Sequence, residues 1–123
     1  MNLNQVTVPV KNVPLSIAFY ELLGLKLIVH SHDNYARFLC ANDATFSLHQ
    51  TDDEFGSAAA TIYFECADVD AEVKRLKQNG IVFTSEPTNQ KWLWREASLK
   101  DLDGNNLIIY HAGKNRTDPP WRL

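Results

Sequence analysis

Two stretches of the chain decide its fold: QVTVPVKNVPLSIAFYELLG at residues 5–24 and TIYFECADVDAEVKRLKQNG at residues 61–80. Each begins with side chains that alternate in polarity, which is typical of a half-buried strand. Each continues with a residue that can cap a helix, Asn12 or Asp68, and then with apolar residues at helical spacing. Each ends at a glycine, which favours the left-handed conformation that stops a helix. The sequence therefore predicts the same strand–helix unit twice.

Three further strand-like segments follow each predicted helix, separated by turn-forming residues. After the first helix they are Leu25–His30, Tyr35–Cys40 and Thr45–Gln50, and after the second they are Ile81–Thr84, Trp92–Leu99 and Asn106–His111. This order favours a mixed sheet with a helix packed on one face. The sequence therefore predicts one α+β domain of two βαβββ modules, about residues 1–55 and 57–112, joined near Asp52–Ala59 and followed by a tail at 113–123.

Alternation along the strands divides each predicted sheet into two faces. The residues expected to face the helices are Val6, Val8, Val10, Phe46, Leu48, Ile62, Phe64, Leu107 and Ile109. The residues expected on the opposite faces are Gln5, Thr7, Pro9, Ser47, His49, Thr61, Tyr63, Glu65, Ile108 and Tyr110. This second set is too polar for a plain core and too aromatic for a bare solvent face. We therefore expect curled sheets whose concave faces line a ligand cleft.

Composition excludes several classes of function. The 123 residues suit one ordinary domain, and 45% hydrophobic with 22% charged residues describe a globular chain. The formal net charge is −3 and no basic cluster stands out, so we expect no nucleic-acid partner. No apolar stretch is long enough to cross a membrane, and Met1–Asn4 does not resemble an export signal. We expect a cytoplasmic protein in which Cys40 and Cys66 are free thiols.

Three motifs resemble those of the vicinal oxygen chelate superfamily, which includes glyoxalase I, extradiol dioxygenases and bleomycin-resistance proteins. Val13–Leu27, VPLSIAFYELLGLKL, resembles the FY…LG opening of that superfamily. Asp101–Asn105, DLDGN, is similar to its DPDGN turn, with Leu102 where proline is usual. Trp92–Arg95 resembles its WGxR stretch, with Leu93 in the glycine position. The resemblance covers nearly the whole chain and implies paired βαβββ modules in a glyoxalase/bleomycin-resistance-like fold.

The resemblance also implies where metal ligands would stand. In metal-using members four ligands project from the first and last strands of each module. Those positions are occupied here by Gln5, Ser47, Thr61 and Ile108. A divalent cation held by His and Glu ligands needs three or four converging lone-pair donors, which this set does not supply. We therefore expect no metal and no other cofactor, and the motifs leave open whether the protein is an enzyme.

The predicted ligand-binding residues are the polar and aromatic side chains on the cleft faces. They are Gln5, Thr7, His49, Tyr63, Glu65, Trp92 and Tyr110. Aromatic rings stack planar or cationic ligands, and polar groups would orient the ligand's polar ends. Trp94, Phe38 and Tyr35 are further candidates, and Trp92 and Trp94 are expected to share one strand face. No catalytic residue is assigned.

Three hypotheses of function follow. The preferred one is metal-independent binding or sequestration of a small molecule, aromatic or amphipathic. The second is a metal-dependent lyase, isomerase or dioxygenase with a site relocated near His49 and Glu65, or acid–base chemistry by that pair. The third is an interaction protein whose aromatic residues fill the cleft. The resemblance implies a homodimer, and Trp121 is either part of a frayed tail or a contact with the neighbouring subunit.

Overall fold

A computed structural model describes residues 4–52 and 60–123. The elements in chain order are β1 (Gln5–Val10), α1 (Val13–Leu22), β2 (Lys26–Ser31), β3 (Tyr35–Leu39), β4 (Thr45–Gln50), β5 (Thr61–Glu65), α2 (Val69–Gln78), β6 (Phe83–Asn89), β7 (Arg95–Lys100) and β8 (Asn106–His111). Short 3₁₀ turns cover Ala41–Asp43 and Gly113–Arg116. Residues 53–59 of the predicted joining segment lie outside the described residues.

The strands form two open four-stranded sheets with the same internal order, β1-β4-β3-β2 and β5-β8-β7-β6. The first pair in each sheet is parallel and the other pairs are antiparallel. The predicted α+β fold with a repeated βαβββ order is therefore confirmed. Residues 4–52 with Asp101–Gly104 form one compact unit, and residues 60–100 with Asn105–Leu123 form a second.

Both helices begin and end as the sequence predicts. The side chain of Asn12 accepts a hydrogen bond from the Leu15 N–H at 2.9 Å, and that of Asp68 accepts one from the Ala71 N–H at 3.1 Å. These caps satisfy N–H groups that have no partner inside the helix. Gly24 adopts a φ of 98° just after α1, a conformation that glycine reaches without a Cβ clash. Neither described helix is long and apolar enough to cross a bilayer.

The core of the first unit lies between α1 and its sheet. The ring of Tyr20 packs 4.8 Å from that of Phe46 and 5.9 Å from that of Phe38, measured between centroids. Phe38 is fully buried in this layer, so the prediction that it could line the opposite face is wrong. In β3 the even-numbered residues are fully buried and the odd-numbered residues are half-buried, so the even-numbered side chains face α1.

A buried hydrogen bond ties the Asp101–Gly104 turn to the first unit. The Tyr20 hydroxyl donates to Oδ2 of Asp101 at 2.6 Å, and the Lys11 N–H donates to Oδ1 of Asp103 at 2.8 Å. Burial raises the pKa of the Tyr20 phenol, and the negative charge of Asp101 raises it further. The FY helix motif and the DLDGN turn motif therefore meet in space at this contact.

The core of the second unit lies between α2 and β5–β8. Val69 and Val73 pack against Ala97 of β7, and Leu76 is fully buried beside them on α2. Of the residues predicted to face the helices in the two units, Val6, Ile62 and Phe64 are half-buried and the others are buried. The predicted assignment of strand faces is therefore confirmed. Cys40 and Cys66 are free and half-buried, and burial raises the pKa of each thiol.

Two predicted strands of the second module have different bounds. β6 covers Phe83–Asn89 rather than Ile81–Thr84, and β7 covers Arg95–Lys100 rather than Trp92–Leu99. Between them a tight turn is closed by a hydrogen bond from the Gln90 N–H to the Trp94 carbonyl at 2.8 Å. Within this turn Leu93 adopts a φ of 67°, which interrupts the strand alternation. Trp92 and Trp94 therefore lie in a turn and not within a strand as predicted.

Candidate ligand-binding surfaces

The second unit carries an aromatic surface on the sheet face opposite α2. Strand pairing sets Glu65 of β5, Tyr110 of β8 and Glu96 of β7 side by side in one row across the sheet. Tyr63 lies one row away on the same face, because alternate residues of a strand share a face. We define the aromatic surface as Tyr63, Trp92, Trp94, Glu96 and Tyr110.

Three rings of this surface pack on one another. The Trp94 indole stacks on the Tyr110 ring with centroids 4.8 Å apart and an interplanar angle of 30°. The Tyr63 ring meets both of them edge to face, at 5.4 Å from Tyr110 and 5.8 Å from Trp94. Tyr110 is 6% exposed whereas Tyr63 is 46% exposed. Tyr63 is therefore the outer ring, held by two inner rings in geometries that aromatic quadrupoles favour.

Hydrogen bonds fix the two tryptophans in place. The Trp94 Nε1–H donates to the carbonyl of Asn115 at 3.3 Å. The Trp92 Nε1–H donates to Oε1 of Glu96 at 2.9 Å, and this carboxylate is 5% exposed whereas the indole is 44% exposed. Sequence reasoning missed Glu96 as a site residue. Its alternation with the buried Ala97 placed it on this face, but its contact with Trp92 depends on the turn that strand patterns do not reveal.

Glu65, a predicted ligand-binding residue, has a local structural contact. Its Oε2 accepts hydrogen bonds from the N–H groups of Ala112 at 2.7 Å and Gly113 at 3.0 Å. Its Oε1 lies 3.7 Å from Nε of Arg116. Burial raises the pKa of Tyr110, and the negative charge of Glu65 raises it further. Glu65 thus anchors the turn that follows β8 and leaves Oε1 at the edge of the aromatic surface.

The first unit carries a polar surface on the corresponding face of its sheet. Strand pairing places Thr7 of β1, Ser47 of β4 and Arg37 of β3 in one row, and His49 beside Tyr35 in the next. We define the polar surface as Thr7, Tyr35, Arg37, Ser47 and His49. Thr7 and His49, two of the predicted ligand-binding residues, are exposed, and Tyr35 is half-buried. Sequence reasoning missed Arg37, although alternation with Ala36 and Phe38 marks this face.

Gln5, the remaining predicted residue of the first unit, lies at the end of β1 near the polar surface. Its Oε1 accepts a hydrogen bond from Oγ1 of Thr45 at 2.9 Å. Gln5 is exposed. The structure therefore brings Gln5, Thr7 and His49 to one sheet and Tyr63, Glu65, Trp92 and Tyr110 to the other.

A chain of hydrogen bonds organises the centre of the polar surface. The Arg37 Nε–H donates to the Tyr35 hydroxyl at 2.9 Å, and that hydroxyl shares a hydrogen bond of 3.0 Å with the fully buried Ser47 hydroxyl. The hydrogen bond with Ser47 lowers the pKa of Tyr35, and the hydrogen bond and charge of Arg37 lower it further. These contacts hold the guanidinium beside the phenol.

The sequence pattern of the Glyoxalase/Bleomycin resistance protein/Dioxygenase superfamily matches residues 2–109. The chain belongs to this superfamily. Members with different chemistry share this fold. Membership therefore predicts the architecture, whereas the function has to be argued from the residues of the site.

Individual relatives support the superfamily fold. Uncharacterized protein YetH of Bacillus subtilis (strain 168) is 36% identical over 50 residues, which cover 41% of this chain and 41% of YetH. A solved "conserved domain protein" is 29% identical, with a TM-score of 0.74 over 91% of this chain and 99% of that one. A glyoxalase/bleomycin resistance protein/dioxygenase family enzyme from Burkholderia phytofirmans PsJN is 16% identical, with a TM-score of 0.77 over 91% of this chain and 99% of that one.

The superfamily's metal positions do not fit a metal in this chain. Ile108 offers no donor atom, and the Ser47 hydroxyl is buried and bonded to Tyr35. Thr61 and Gln5 offer only a neutral hydroxyl and a neutral amide, which bind divalent cations weakly. Within residues 4–52 and 60–123, no group of three or more His, Cys, Asp or Glu side chains is placed to hold a metal ion.

Proposed function

We propose that this superfamily member is a metal-independent binding or sequestration protein for a small aromatic molecule. The observation that carries the proposal is the exposed ring of Tyr63 held edge to face by the stacked pair Trp94 and Tyr110. A ring that is already fixed loses little conformational entropy when a planar ligand stacks on it. The ligand would lie on Tyr63 and reach the Trp92 indole.

The fixed orientation and the exposure of Trp92 support the same proposal. Glu96 is buried under the half-exposed Trp92 and accepts its indole N–H, which fixes the orientation of the indole plane. Large apolar side chains that remain exposed on a polar sheet face are typical of contact sites for ligands or partners. Gln5, Thr7 and His49 are proposed ligand contacts on the sheet of the first unit.

The test is a titration with naphthylmethanol, a neutral planar probe, in the presence of EDTA. The chain contains three tryptophans, so a proton–nitrogen correlation spectrum reports three indole N–H signals. We expect saturable shifts for Trp92 and Trp94 and none for Trp121, which serves as an internal control in the tail. Tyr63→Ala should weaken binding about tenfold, which corresponds to roughly 1.4 kcal/mol for one aromatic contact.

Trp121→Ala is the matched control, because it also removes an exposed aromatic ring and should leave the affinity unchanged. If neither naphthylmethanol nor its ammonium and carboxylate analogues gives a saturable shift of Trp92 or Trp94, the proposal fails. Metal independence fails separately if Ni²⁺, Zn²⁺, Mn²⁺ or Fe²⁺ gives a saturable rise in melting temperature that His49→Ala abolishes.

The proposal includes the homodimer that the family resemblance implies. Sedimentation velocity should then give a species of twice the 14.0 kDa chain mass at micromolar concentration. A single species of the chain mass would remove the dimer from the proposal and leave the binding surface as it is.

A further inference from the structure

The first sheet carries positive charge and no negative charge. The sequences of its four strands are QVTVPV, KLIVHS, YARFL and TFSLHQ, and none contains Asp or Glu. The same strands carry the cations Lys26 and Arg37. A surface of one sign attracts ligands of the opposite sign.

Arg37 is the cation that lies on the polar surface itself. Among the residues that the structure describes, no carboxylate lies within ion-pair distance of Arg37, whereas Arg75, Arg95, Arg116 and Arg122 each have one. Arg37 is also half-buried, so its guanidinium has lost part of its hydration without gaining a protein counter-charge. A bound anion would supply the counter-charge that the protein does not provide.

The contacts of Arg37 leave one edge of the guanidinium available. Nε donates to the Tyr35 hydroxyl at 2.9 Å, and the guanidinium carbon lies 5.5 Å from the centre of the Tyr35 ring. No described residue accepts a hydrogen bond from Nη1 or Nη2. An arginine fixed through Nε presents these two nitrogens as a fork that matches the paired oxygens of a carboxylate or phosphate.

We infer that the polar surface is an oxyanion-binding site in which Arg37 binds a carboxylate or phosphate group and Tyr35 and Ser47 hold the guanidinium in place. Thr7 lies in the same row of the sheet as Arg37, and His49 lies in the next row on the same face. The inference goes beyond the proposed function, because it concerns the sheet of the first unit and a different class of ligand. The site can be tested without the aromatic ligand.

The experiment titrates the protein with inorganic phosphate and, separately, with benzoate, at constant ionic strength maintained with chloride. The signals are the backbone N–H groups of Tyr35, Ser47 and His49 in a proton–nitrogen correlation spectrum, which the Arg37 variants retain. In the unmodified chain the Nε–H of Arg37 is followed as well. We expect saturable shifts, with binding at least about tenfold weaker in Arg37→Gln because the charged bidentate contact is lost. Arg37→Lys, which keeps the charge but lacks the fork, should be intermediate.

Arg122→Gln is the matched control, since it makes the same change at an exposed arginine of the tail and should bind as the unmodified chain does. Tighter binding of benzoate assigns the site to carboxylates, and tighter binding of phosphate assigns it to phosphates. If Arg37→Gln binds both anions as tightly as the unmodified chain, or if neither anion saturates, the inference is overturned. Unchanged backbone amide signals from β1 to β4 in Arg37→Gln would show that the first unit of the variant folds.

Failure of this inference and failure of the proposed function are distinguishable. Inorganic phosphate has no ring and reports on Arg37, whereas naphthylmethanol has no charge and reports on Trp92 and Trp94. Phosphate binding at Arg37 without naphthylmethanol binding would retain the oxyanion site and remove the aromatic one. The opposite result would remove the oxyanion site alone.

Discussion

Replacing Tyr20 by phenylalanine removes one hydroxyl from the centre of the first unit. That hydroxyl is fully buried and donates to Oδ2 of Asp101, itself 6% exposed, at 2.6 Å. A hydrogen bond to a charged acceptor contributes about 1.5–3 kcal/mol to stability. Because the ring packing on Phe38 and Phe46 is retained in Tyr20→Phe, we expect a loss of about 2 kcal/mol, or a fall in melting temperature of roughly 8 °C.

Urea unfolding followed by circular dichroism measures this loss as a lower midpoint with an unchanged slope. Tyr63→Phe is the control, because it makes the same chemical change at an exposed ring and should alter stability by less than about 0.5 kcal/mol. A loss of less than about 0.5 kcal/mol in Tyr20→Phe would refute the idea that this hydrogen bond holds the Asp101–Gly104 turn.

The same hydroxyl predicts a dependence on alkaline pH. Burial and the charge of Asp101 raise the pKa of Tyr20 above its ordinary value of about 10. Above that pH the unfolded chain loses the proton and the folded chain keeps it, so the free energy of unfolding falls as pH rises. This residue contributes up to about 1.4 kcal/mol per pH unit to the fall. The stability difference between the unmodified chain and Tyr20→Phe should therefore be smaller at about pH 11 than at about pH 8.

Two further predictions concern local contacts. Glu65→Gln removes the charge that accepts from two N–H groups, so the amides of Ala112 and Gly113 should exchange with deuterium about tenfold faster, whereas equal exchange rates would contradict the anchoring role. Asp68→Ala removes the cap of α2 and should destabilise the protein by about 1 kcal/mol in urea unfolding, a loss that Asp68→Asn should largely avoid.

The sequence was sufficient to predict the features that depend on local chemistry. Asn12 and Asp68 cap the helices as expected, because an N-cap needs only a side-chain acceptor three residues before the N–H it satisfies. The faces of the strands also followed, since alternate side chains of a strand point to opposite sides. The repeated βαβββ order is the direct result of these two rules.

The contacts of the candidate surfaces depend on pairing between distant segments and were not predictable in the same way. Glu65 bonds to N–H groups of Ala112 and Gly113, far along the chain, so its sequence neighbours gave no sign of this role. Trp92 turns towards Glu96 because Leu93 takes a left-handed conformation, which strand alternation does not reveal. The glycine usual at the position of Leu93 in related motifs was the one available signal of that turn.

The most direct test of metal-independent binding is to measure naphthylmethanol affinity on one preparation in two states. One sample is stripped with EDTA, and the other receives Ni²⁺, Zn²⁺, Mn²⁺ and Fe²⁺ in turn. We expect the same dissociation constant in every sample and the same shifts of the Trp92 and Trp94 indole signals. Binding that occurs only after a metal is added would contradict the proposal.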